Sequence, residues 1–410
     1  MAASKASDVQ RGKRAPLFEL MDAIFYKGHL RVIDWEGRQH DFGQIDQKPV
    51  VIRLPDSAVQ WQLLRHPRLG IGEAYMDGRI ELLEGDLFDF LSLLARNRSA
   101  LRKHSKFAKV LHMGRVWIRG LATYNPPDRA RDNAGHYELS RDFFRLFLDR
   151  NLQYSCGYYR SVNDDLETAQ LNKMRYLAGK LMLDRPDLKL LDIGCGWGGL
   201  SRFFATQYGA KVDGITLSQE QLDVCMQERQ AANLEAQTHY ALQDYRHVQG
   251  EYDRIASIEM FEHVGPQHFV EYFQQIRRLL NRQGVCVLQF SGRMSKPGAS
   301  DPWLNKYIFP GGYTPSLSET IAAIEKAGLW VSDVEVWRLH YVHTLRDWLQ
   351  RMHENRDTIV EMYDERFFRM WEFYLALCRV AFNTVGQTVF QLQITRSRRS
   401  VPQTRDYISI

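Results

Sequence analysis

A glycine-rich turn after a buried strand is the clearest candidate for chemistry in this sequence. The run Leu190–Gly199 combines an apolar strand, four glycines within six residues and the start of a helix. Glycine lets backbone approach a ligand closely, and a helix start presents free N–H groups to it. Thr216-Leu217-Ser218 stands where a dinucleotide site would place its ribose-binding acid. We therefore expect S-adenosylmethionine here rather than NAD, with a tight turn that binds nothing as the alternative.

Further polar and aromatic side chains stand where predicted strands end. Asp244 follows the predicted strand Gln237–Leu242, where it could contact an adenine ring, and Glu262 follows the predicted strand Tyr252–Ile258. Ligand sites of open α/β sheets lie outside the carboxyl ends of the strands, so these residues should meet near the glycine turn. A plain helix-start role is the alternative for Glu262. The aromatic segment Asp301–Gly312 predicts an apolar wall or lid, or else an ordinary packed loop.

Alternating strand and helix patterns supply the sheet that these residues need. The alternation begins at about His136 and predicts a Rossmann-like α/β fold with a doubly wound, mainly parallel sheet. With S-adenosylmethionine expected at the glycine turn, this fold would be of the class I methyltransferase type. The predicted strands are 188–193, 211–215, 237–242, 252–258, 284–290 and 388–395. The predicted helices are 142–148, 166–183, 200–208, 218–232, 267–280 and the long helices within 345–382.

The composition divides the chain into four segments. Residues 1–17 are expected to be a disordered tail, and residues 18–95 a small α+β domain with a glycine-rich turn at Leu69–Gly78. A basic linker is expected over 96–133, and the methyltransferase domain over 134–410. A chain of 410 residues is long for one domain, which favours this division.

Composition also excludes several classes of protein. With 44% hydrophobic residues and a formal charge of +5, the chain can form a full globular core. No run approaches the roughly 18 apolar residues that span a membrane. The polar, basic residues 1–14 lack the apolar stretch of a secretory signal. Five scattered cysteines without C-x-x-C spacing indicate a reducing cytoplasm, with neither a disulfide framework nor a metal site.

A basic amphipathic segment between Arg96 and Arg119 is the candidate contact with another molecule. It carries eight lysines and arginines and no acid, and Phe107, Val110 and Leu111 are interleaved at helical spacing. This pattern suits the surface of an anionic membrane. An interdomain helix packed on its own protein is the alternative, and too few aromatics stand here to favour nucleic acid.

Taken together, these motifs resemble the cyclopropane-fatty-acyl-phospholipid synthase family. The similarity extends from about Leu69 to Arg396. It is densest at 72–78, 154–158, 191–199, 214–221, 243–246, 253–266, 301–315, 340–345 and 363–382. It implies that a methylene from the S-adenosylmethionine methyl is added across a double bond of a membrane phospholipid acyl chain. It further implies a cytoplasmic, peripherally membrane-associated enzyme, a possible homodimer, and a bicarbonate base held by a cysteine-loop amide, a glutamate, a histidine and a tyrosine.

The resemblance assigns roles to residues by position. Cys156, Glu262 and Tyr341 match the cysteine, glutamate and tyrosine around the bicarbonate. Cys378 matches a cysteine sometimes given a catalytic role, although burial for packing is the interpretation we prefer. The residues expected to bind S-adenosylmethionine are Tyr154, Ser155, Asp192, Gly194, Gly196, Thr216, Leu217, Gln221, Gln243, Asp244 and Tyr245.

One position departs from the family pattern. Gln289 stands in place of the bicarbonate histidine, near the end of a predicted strand. Glutamine hydrogen-bonds an anion but does not titrate, so both bicarbonate binding and ring closure are in question. The alternative products are a methyl-branched, exomethylene or methylated-diene chain. Methylation of a small molecule and a non-catalytic lipid-binding relic remain as further alternatives.

Overall fold

The computed structural model describes residues 15–104 and 139–408. Contacts divide the chain into two units between Trp117 and Ile118. Most of the predicted tail, and the predicted basic segment from Lys106 onward, lie outside the described residues.

In the described part of the first unit, a four-stranded sheet packs with helices. The strand order is β2-β1-β3-β4, with β1 parallel to β3 and the other pairs antiparallel. The elements are α1 (Pro16–Ile24), β1 (His29–Ile33), β2 (Gln39–Gly43), β3 (Pro49–Arg53), α2 (Val59–Arg65), α3 (Pro67–Met76), β4 (Glu81–Glu84) and α4 (Leu87–His104). Helix α4 continues through residue 96, where the basic linker was expected to begin.

The predicted glycine-rich turn at Leu69–Gly78 is wrong for most of its length, because helix α3 covers these residues as far as Met76. Its glycines permit close packing of two helices. A Cβ at Gly70 would lie 2.9 Å from the backbone oxygen of Gln62 in α2. Glycine in a helix is therefore explained here by the neighbouring backbone rather than by a turn.

The second unit contains a seven-stranded, mainly parallel sheet. Its order is β10-β11-β9-β8-β5-β6-β7. Neighbouring strands from β9 through β7 are parallel, and β11 is antiparallel to both of its neighbours, β9 and β10. The strands are β5 (Lys189–Ile193), β6 (Lys211–Thr216), β7 (Thr238–Leu242), β8 (Tyr252–Ile258), β9 (Leu280–Arg293), β10 (Trp330–Val336) and β11 (Gln387–Thr395). The doubly wound sheet of the class I methyltransferase type is confirmed.

Helices cover both faces of this sheet. Successive residues of β5 belong to opposite core clusters, Leu190 with Leu177 and Leu191 with Ile276. The helices are α5 (Arg141–Arg145), α6 (Leu166–Lys180), α7 (Gly199–Tyr208), α8 (Gln219–Ala231), α9 (Phe269–Leu279), α10 (Pro302–Tyr307), α11 (Leu317–Lys326), α12 (His340–Glu354), α13 (Arg356–Met362) and α14 (Glu365–Val380).

The sequence prediction omitted strand β10. The strand lies at the edge of the sheet and none of its residues is fully buried, so its hydrophobic signal is weak. Two of its acids, Asp333 and Glu335, bind the fully buried ammonium of Lys180 at 3.2 and 2.6 Å. Polar contacts thus help to hold this edge in place.

Candidate active site

The glycine turn follows β5 at the point where the strand order reverses. Gly194, Gly196 and Gly198 have φ values of +76°, +54° and +75°, a left-handed conformation that glycine adopts without strain. The amides of Gly194 and Cys195 both donate to the Ile215 carbonyl at 3.0 Å, which fixes the turn to β6. No atom lies within 4 Å of the place a Cβ would take at Gly196. The turn therefore leaves backbone open to a ligand.

A cavity of about 270 Å³ lies beside this turn. Residues that follow β5, β6, β7 and β8 line it, which is the arrangement expected for a ligand at the carboxyl ends of parallel strands. The predicted cofactor residues in the lining are Gly194, Thr216, Leu217, Gln243, Asp244 and Tyr245. The residues present thus fit S-adenosylmethionine.

Two more predicted cofactor residues support the lining from behind. Thr216 Oγ1 donates to Gln221 Oε1 at 2.7 Å, which ties the end of β6 to α8. Asp192 is buried in β5 and accepts a 2.6 Å hydrogen bond from Ser201 in α7. Burial raises the pKa of Asp192 to about 6. Asp192 therefore braces the helix that follows the glycine turn.

Asp244 is already paired within the protein. The guanidinium of Arg246 donates to both of its carboxylate oxygens, at 2.9 and 2.6 Å. This fork geometry fixes the carboxylate in the lining of the cavity. Contact with adenine, expected from the sequence, stays a prediction.

Lys173 is a buried cation that sequence reasoning missed. Its ammonium donates to Gln153 Oε1 at 2.6 Å and to Ser155 Oγ at 2.8 Å. Burial lowers its pKa to about 8. It lies on α6 four residues after Ala169 and four before Leu177, both buried. A lysine on the apolar face of a predicted helix was the available signal.

A half-buried carboxylate that sequence reasoning also missed lies at the centre of the predicted catalytic residues. Glu259 Oε1 accepts hydrogen bonds from the Cys156 amide at 2.9 Å and from Gln289 Nε2 at 3.1 Å. Glu259 Oε2 accepts one from the Tyr341 hydroxyl at 2.9 Å. The structure thus brings Cys156, Gln289 and Tyr341 together around Glu259. The available signal was its place directly after β8, three residues before the predicted Glu262.

Glu262 lies one short turn further along the chain and has a different environment. Its Oε1 accepts a hydrogen bond from the Ser291 amide at 2.5 Å. Burial, and then the charge of Glu259, raise the pKa of Glu262 to about 8. The side chain is therefore a neutral acid near pH 7. Its predicted role at the anion site stays a prediction.

The two predicted cysteines are poorly suited to thiolate chemistry. Burial raises the pKa of the Cys156 thiol well above its ordinary value, and it raises that of Cys378 to about 12. Cys156 contributes through its backbone amide. Cys378 lies one turn after Tyr374 on α14, and that tyrosine bonds Tyr154 through a 2.6 Å hydroxyl pair.

Aromatic rings surround these groups. Tyr154 stacks on Trp348 with centroids 5.2 Å apart, and Tyr341 contacts Phe382 at 4.7 Å. From the segment expected to form a wall or lid, Ile308, Phe309 and Pro310 line the cavity. Aromatic faces attract a cation and exclude water. The arrangement can therefore hold a carboxylate base beside a positive charge on an apolar chain.

Comparison with known proteins agrees with this geometry. Residues 125–392 match the family described as Mycolic acid cyclopropane synthetase, and residues 19–106 match a domain of unknown function, DUF7884. The chain is 34% identical over 351 residues to the cyclopropane-fatty-acyl-phospholipid synthase of Escherichia coli, covering 85% of this chain and 88% of that one. It is 34% identical over 388 residues to the tuberculostearic acid methyltransferase UfaA1 of Mycobacterium tuberculosis, covering 90% and 88%.

A solved structure of a cyclopropane synthase also matches this chain. The mycolic acid cyclopropane synthase CmaA1, complexed with SAH and CTAB, has a TM-score of 0.61 and 30% identity, covering 65% of this chain and 98% of that one. The fold and the glycine-turn site define an S-adenosylmethionine-dependent methyltransferase. The chain belongs to the mycolic acid cyclopropane synthetase family. It is a C-methyltransferase of the cyclopropane-fatty-acyl-phospholipid synthase type, with activity on fatty acyl chains of lipids.

Proposed function

We propose that the protein transfers the methyl carbon of S-adenosylmethionine to the double bond of an unsaturated phospholipid acyl chain and forms a cyclopropane. One observation carries the proposal: a carboxylate held by Cys156, Gln289 and Tyr341 lies in the same unit as the glycine turn and the aromatic rings. Such a set can accept the proton that ring closure releases. The phospholipid substrate is supported by the name of the Escherichia coli relative.

The residues have separable tasks in this reaction. When bound, S-adenosylmethionine supplies a methyl group activated by a sulfonium. The glycine turn and the residues Thr216, Leu217 and Asp244 would hold it. An alkene is a weak nucleophile, so its attack requires close alignment in a dry site. The rings of Tyr154, Trp348 and Tyr341 exclude water and stabilise positive charge on the alkylated chain.

The glutamine at position 289 favours a second product, in which the ring does not close. Gln289 does not titrate, in contrast to the histidine of the family pattern, so proton loss at another carbon would leave a methyl-branched or exomethylene chain. The relative UfaA1 is named as a tuberculostearic acid methyltransferase and not as a cyclopropane synthase, which supports this second product.

Mass spectrometry of the acyl chains separates the two products. Purified protein is incubated with S-adenosylmethionine and vesicles of mono-unsaturated phospholipid, and the lipids are analysed before and after mild hydrogenation. We expect a product one CH₂ heavier that takes up no hydrogen. A heavier product that takes up hydrogen would establish the second product, and no heavier product would contradict both.

We also propose that the protein binds the membrane surface from the cytoplasm, and that it does so as a homodimer. The basic segment that begins at Arg96 supports attraction to anionic lipid. Within residues 15–104 and 139–408, no helix has the length and apolarity required to cross a membrane. Flotation with anionic vesicles should show binding that weakens with salt, since exposed charges are screened within about 8 Å. Binding that ignores salt would contradict this, and light scattering would test the dimer.

A further inference from the structure

The carboxylate of Glu259 fills the position at which the family resemblance expects bicarbonate. Three of the four groups assigned to that anion are the Cys156 amide, the Tyr341 hydroxyl and the side chain at 289, and all three donate to Glu259. The amide and the hydroxyl each carry a single hydrogen, and both hydrogens are used. A separate bicarbonate therefore does not fit this protein.

We propose, on the basis of the function proposed above, that Glu259 replaces bicarbonate as the base that accepts the proton after methyl transfer. The protein then carries its own proton acceptor, and turnover requires no dissolved bicarbonate. Gln289 is a positioning residue in this arrangement, because it directs an amide hydrogen at the carboxylate instead of exchanging a proton.

The orientation of Gln289 is fixed by a cross-strand partner. Gln391 on β11 faces Gln289 on β9, and its Nε2 donates to Gln289 Oε1 at 3.0 Å. Both side chains are fully buried. Because its oxygen is occupied in this way, Gln289 turns its NH₂ group towards Glu259. The backbone carbonyl of Gln289 also accepts a 2.7 Å hydrogen bond from the backbone N–H of Glu259, so Gln289 holds Glu259 by main chain and side chain.

The backbone at Glu259 is a second, independent observation. Its φ is +52°, in the left-handed region that residues with a Cβ seldom adopt. Strained residues of this kind cluster at active sites, where the surrounding contacts maintain them. At Glu259 these contacts are the hydrogen bonds from the Cys156 amide, the Gln289 amide and the Tyr341 hydroxyl, all of them to its carboxylate.

The charge of Glu259 helps to raise the pKa of Glu262, so electrostatics distinguish the two acids of the pair. Burial raises the pKa of Glu259 above its ordinary value, while the three hydrogen bonds and the charge of Lys173 favour the carboxylate. Glu262, with a pKa of about 8, carries the proton near neutral pH. A carboxylate with a raised pKa is a stronger base than an exposed one.

The step balances without an oxidant or reductant. After methyl transfer and departure of S-adenosylhomocysteine, one former alkene carbon carries the new methyl and the other is cationic. A Glu259 oxygen bonds one hydrogen of that methyl. The C–H electron pair closes the three-membered ring onto the cationic carbon. Glu259 becomes a carboxylic acid and returns the proton to solvent before the next turnover.

The first test needs no substitution. The rate of the wild-type enzyme is measured with unsaturated phospholipid vesicles in carbon dioxide-free buffer and again with added bicarbonate. We expect rates that agree within about twofold, and titration with ¹³C-bicarbonate followed by NMR should show no bound anion. A rate that rises tenfold or more with bicarbonate would overturn the proposal.

Substitutions then test the carboxylate. Glu259→Gln keeps the shape of the side chain but cannot take a proton, and we expect kcat to fall by about 100-fold or more. S-adenosylmethionine binding by calorimetry should be unchanged. Glu259→Ala should regain rate in proportion to added formate or bicarbonate, because the vacated donors can hold a small carboxylate. The exposed Glu235→Gln is the matched control and should leave both rate and binding unchanged.

The outcomes separate this proposal from the one on which it rests. If the wild type forms no product from any unsaturated phospholipid, the proposed function fails and the base assignment fails with it. If the wild type is active and Glu259→Gln retains half of its rate, only the base assignment is wrong. Thermal unfolding of each variant shows whether a lost rate reflects lost folding. The bicarbonate measurement on the wild type does not depend on that control.

Discussion

Two turns that follow neighbouring parallel strands both contain left-handed backbone, but different residue types adopt it. After β5, the residues with left-handed backbone are Gly194, Gly196 and Gly198, at φ between +54° and +76°. After β8 the corresponding residue is Glu259, at φ +52°. The first turn needs open backbone close to a ligand, so glycine serves it without strain. Under the role proposed for Glu259, the second turn needs a carboxylate at that place, which glycine could not supply. The backbone conformation alone therefore does not identify the role of a turn, and the type of residue that adopts the conformation must be considered.

The largest effect should come from Gly199→Ala in the first turn. A Cβ there would lie 2.0 Å from the backbone oxygen of Asn151, which cannot move as a flexible side chain would. We expect a loss of about 3 kcal/mol in unfolding free energy, measured by urea titration, and weaker S-adenosylmethionine binding. A loss below 1 kcal/mol would show that the turn tolerates a shift of the 151 segment.

The acidic pair in the second turn should make stability depend on pH. The folded pKa of Glu262 is about 8, against about 4.3 in an unfolded chain, so between these values the folded state binds the extra proton. Stability from this group is thus full below pH 4.3 and is lost as pH rises through 8. We expect the wild type to lose roughly 2 kcal/mol more than Glu262→Gln between pH 5 and 7. Parallel denaturation curves for the two proteins would contradict this.

Removing the partner of Gln289 should affect catalysis selectively. Gln391→Leu frees the Gln289 amide to rotate, and we expect kcat to fall about tenfold, near 1.4 kcal/mol, with more unsaturated product. Gln393→Leu is the matched control, since it loses another buried hydrogen bond on the same strand, to the Lys180 carbonyl. An equal fall in both variants would mean that Gln391 only stabilises the sheet.

The smallest expected effect is the free-energy cost of a Cβ at left-handed φ, which can be compared between the two turns. Glu259→Gly and Glu259→Ala both remove the carboxylate and differ only in a Cβ at left-handed φ. We expect the glycine variant to be more stable by about 1 kcal/mol. Gly196→Ala should cost a similar amount, because nothing lies within 4 Å of its added Cβ. Thermal unfolding measures both, and a stability difference near zero at position 259 would show that its backbone relaxes.

The parallel half of the second unit was predictable because its signals are local. Strand β8 agrees with its predicted bounds, and the predicted helix after the glycine turn is α7 within one residue. Helix α3 was mistaken for a turn because Gly70 is required by close packing against the backbone of Gln62 in α2. No local sequence pattern shows that contact. Strand β10 was missed because an edge strand has no strong apolar face.

The site was predictable in part for the same reason. The resemblance selected Cys156, Tyr341 and position 289, and the structure joins them. It did not select Glu259, because the family motif contains a glutamate only at the position of Glu262. The additional glutamate three residues earlier is not part of that motif. That Gln289 is paired with Gln391 depends on strands separated by about a hundred residues, which only the sheet register shows.

That pairing also makes the orientation of Gln289 depend on the last strand of the chain to be synthesised. The strands β5 to β9 and the glycine turn leave the ribosome before β11, which carries Gln391. A nascent chain can thus form its methyl-donor pocket while Gln289 still lacks the contact that orients it. Under the role proposed for Glu259, insertion of β11 beside β9 is the step that completes the base side of the site.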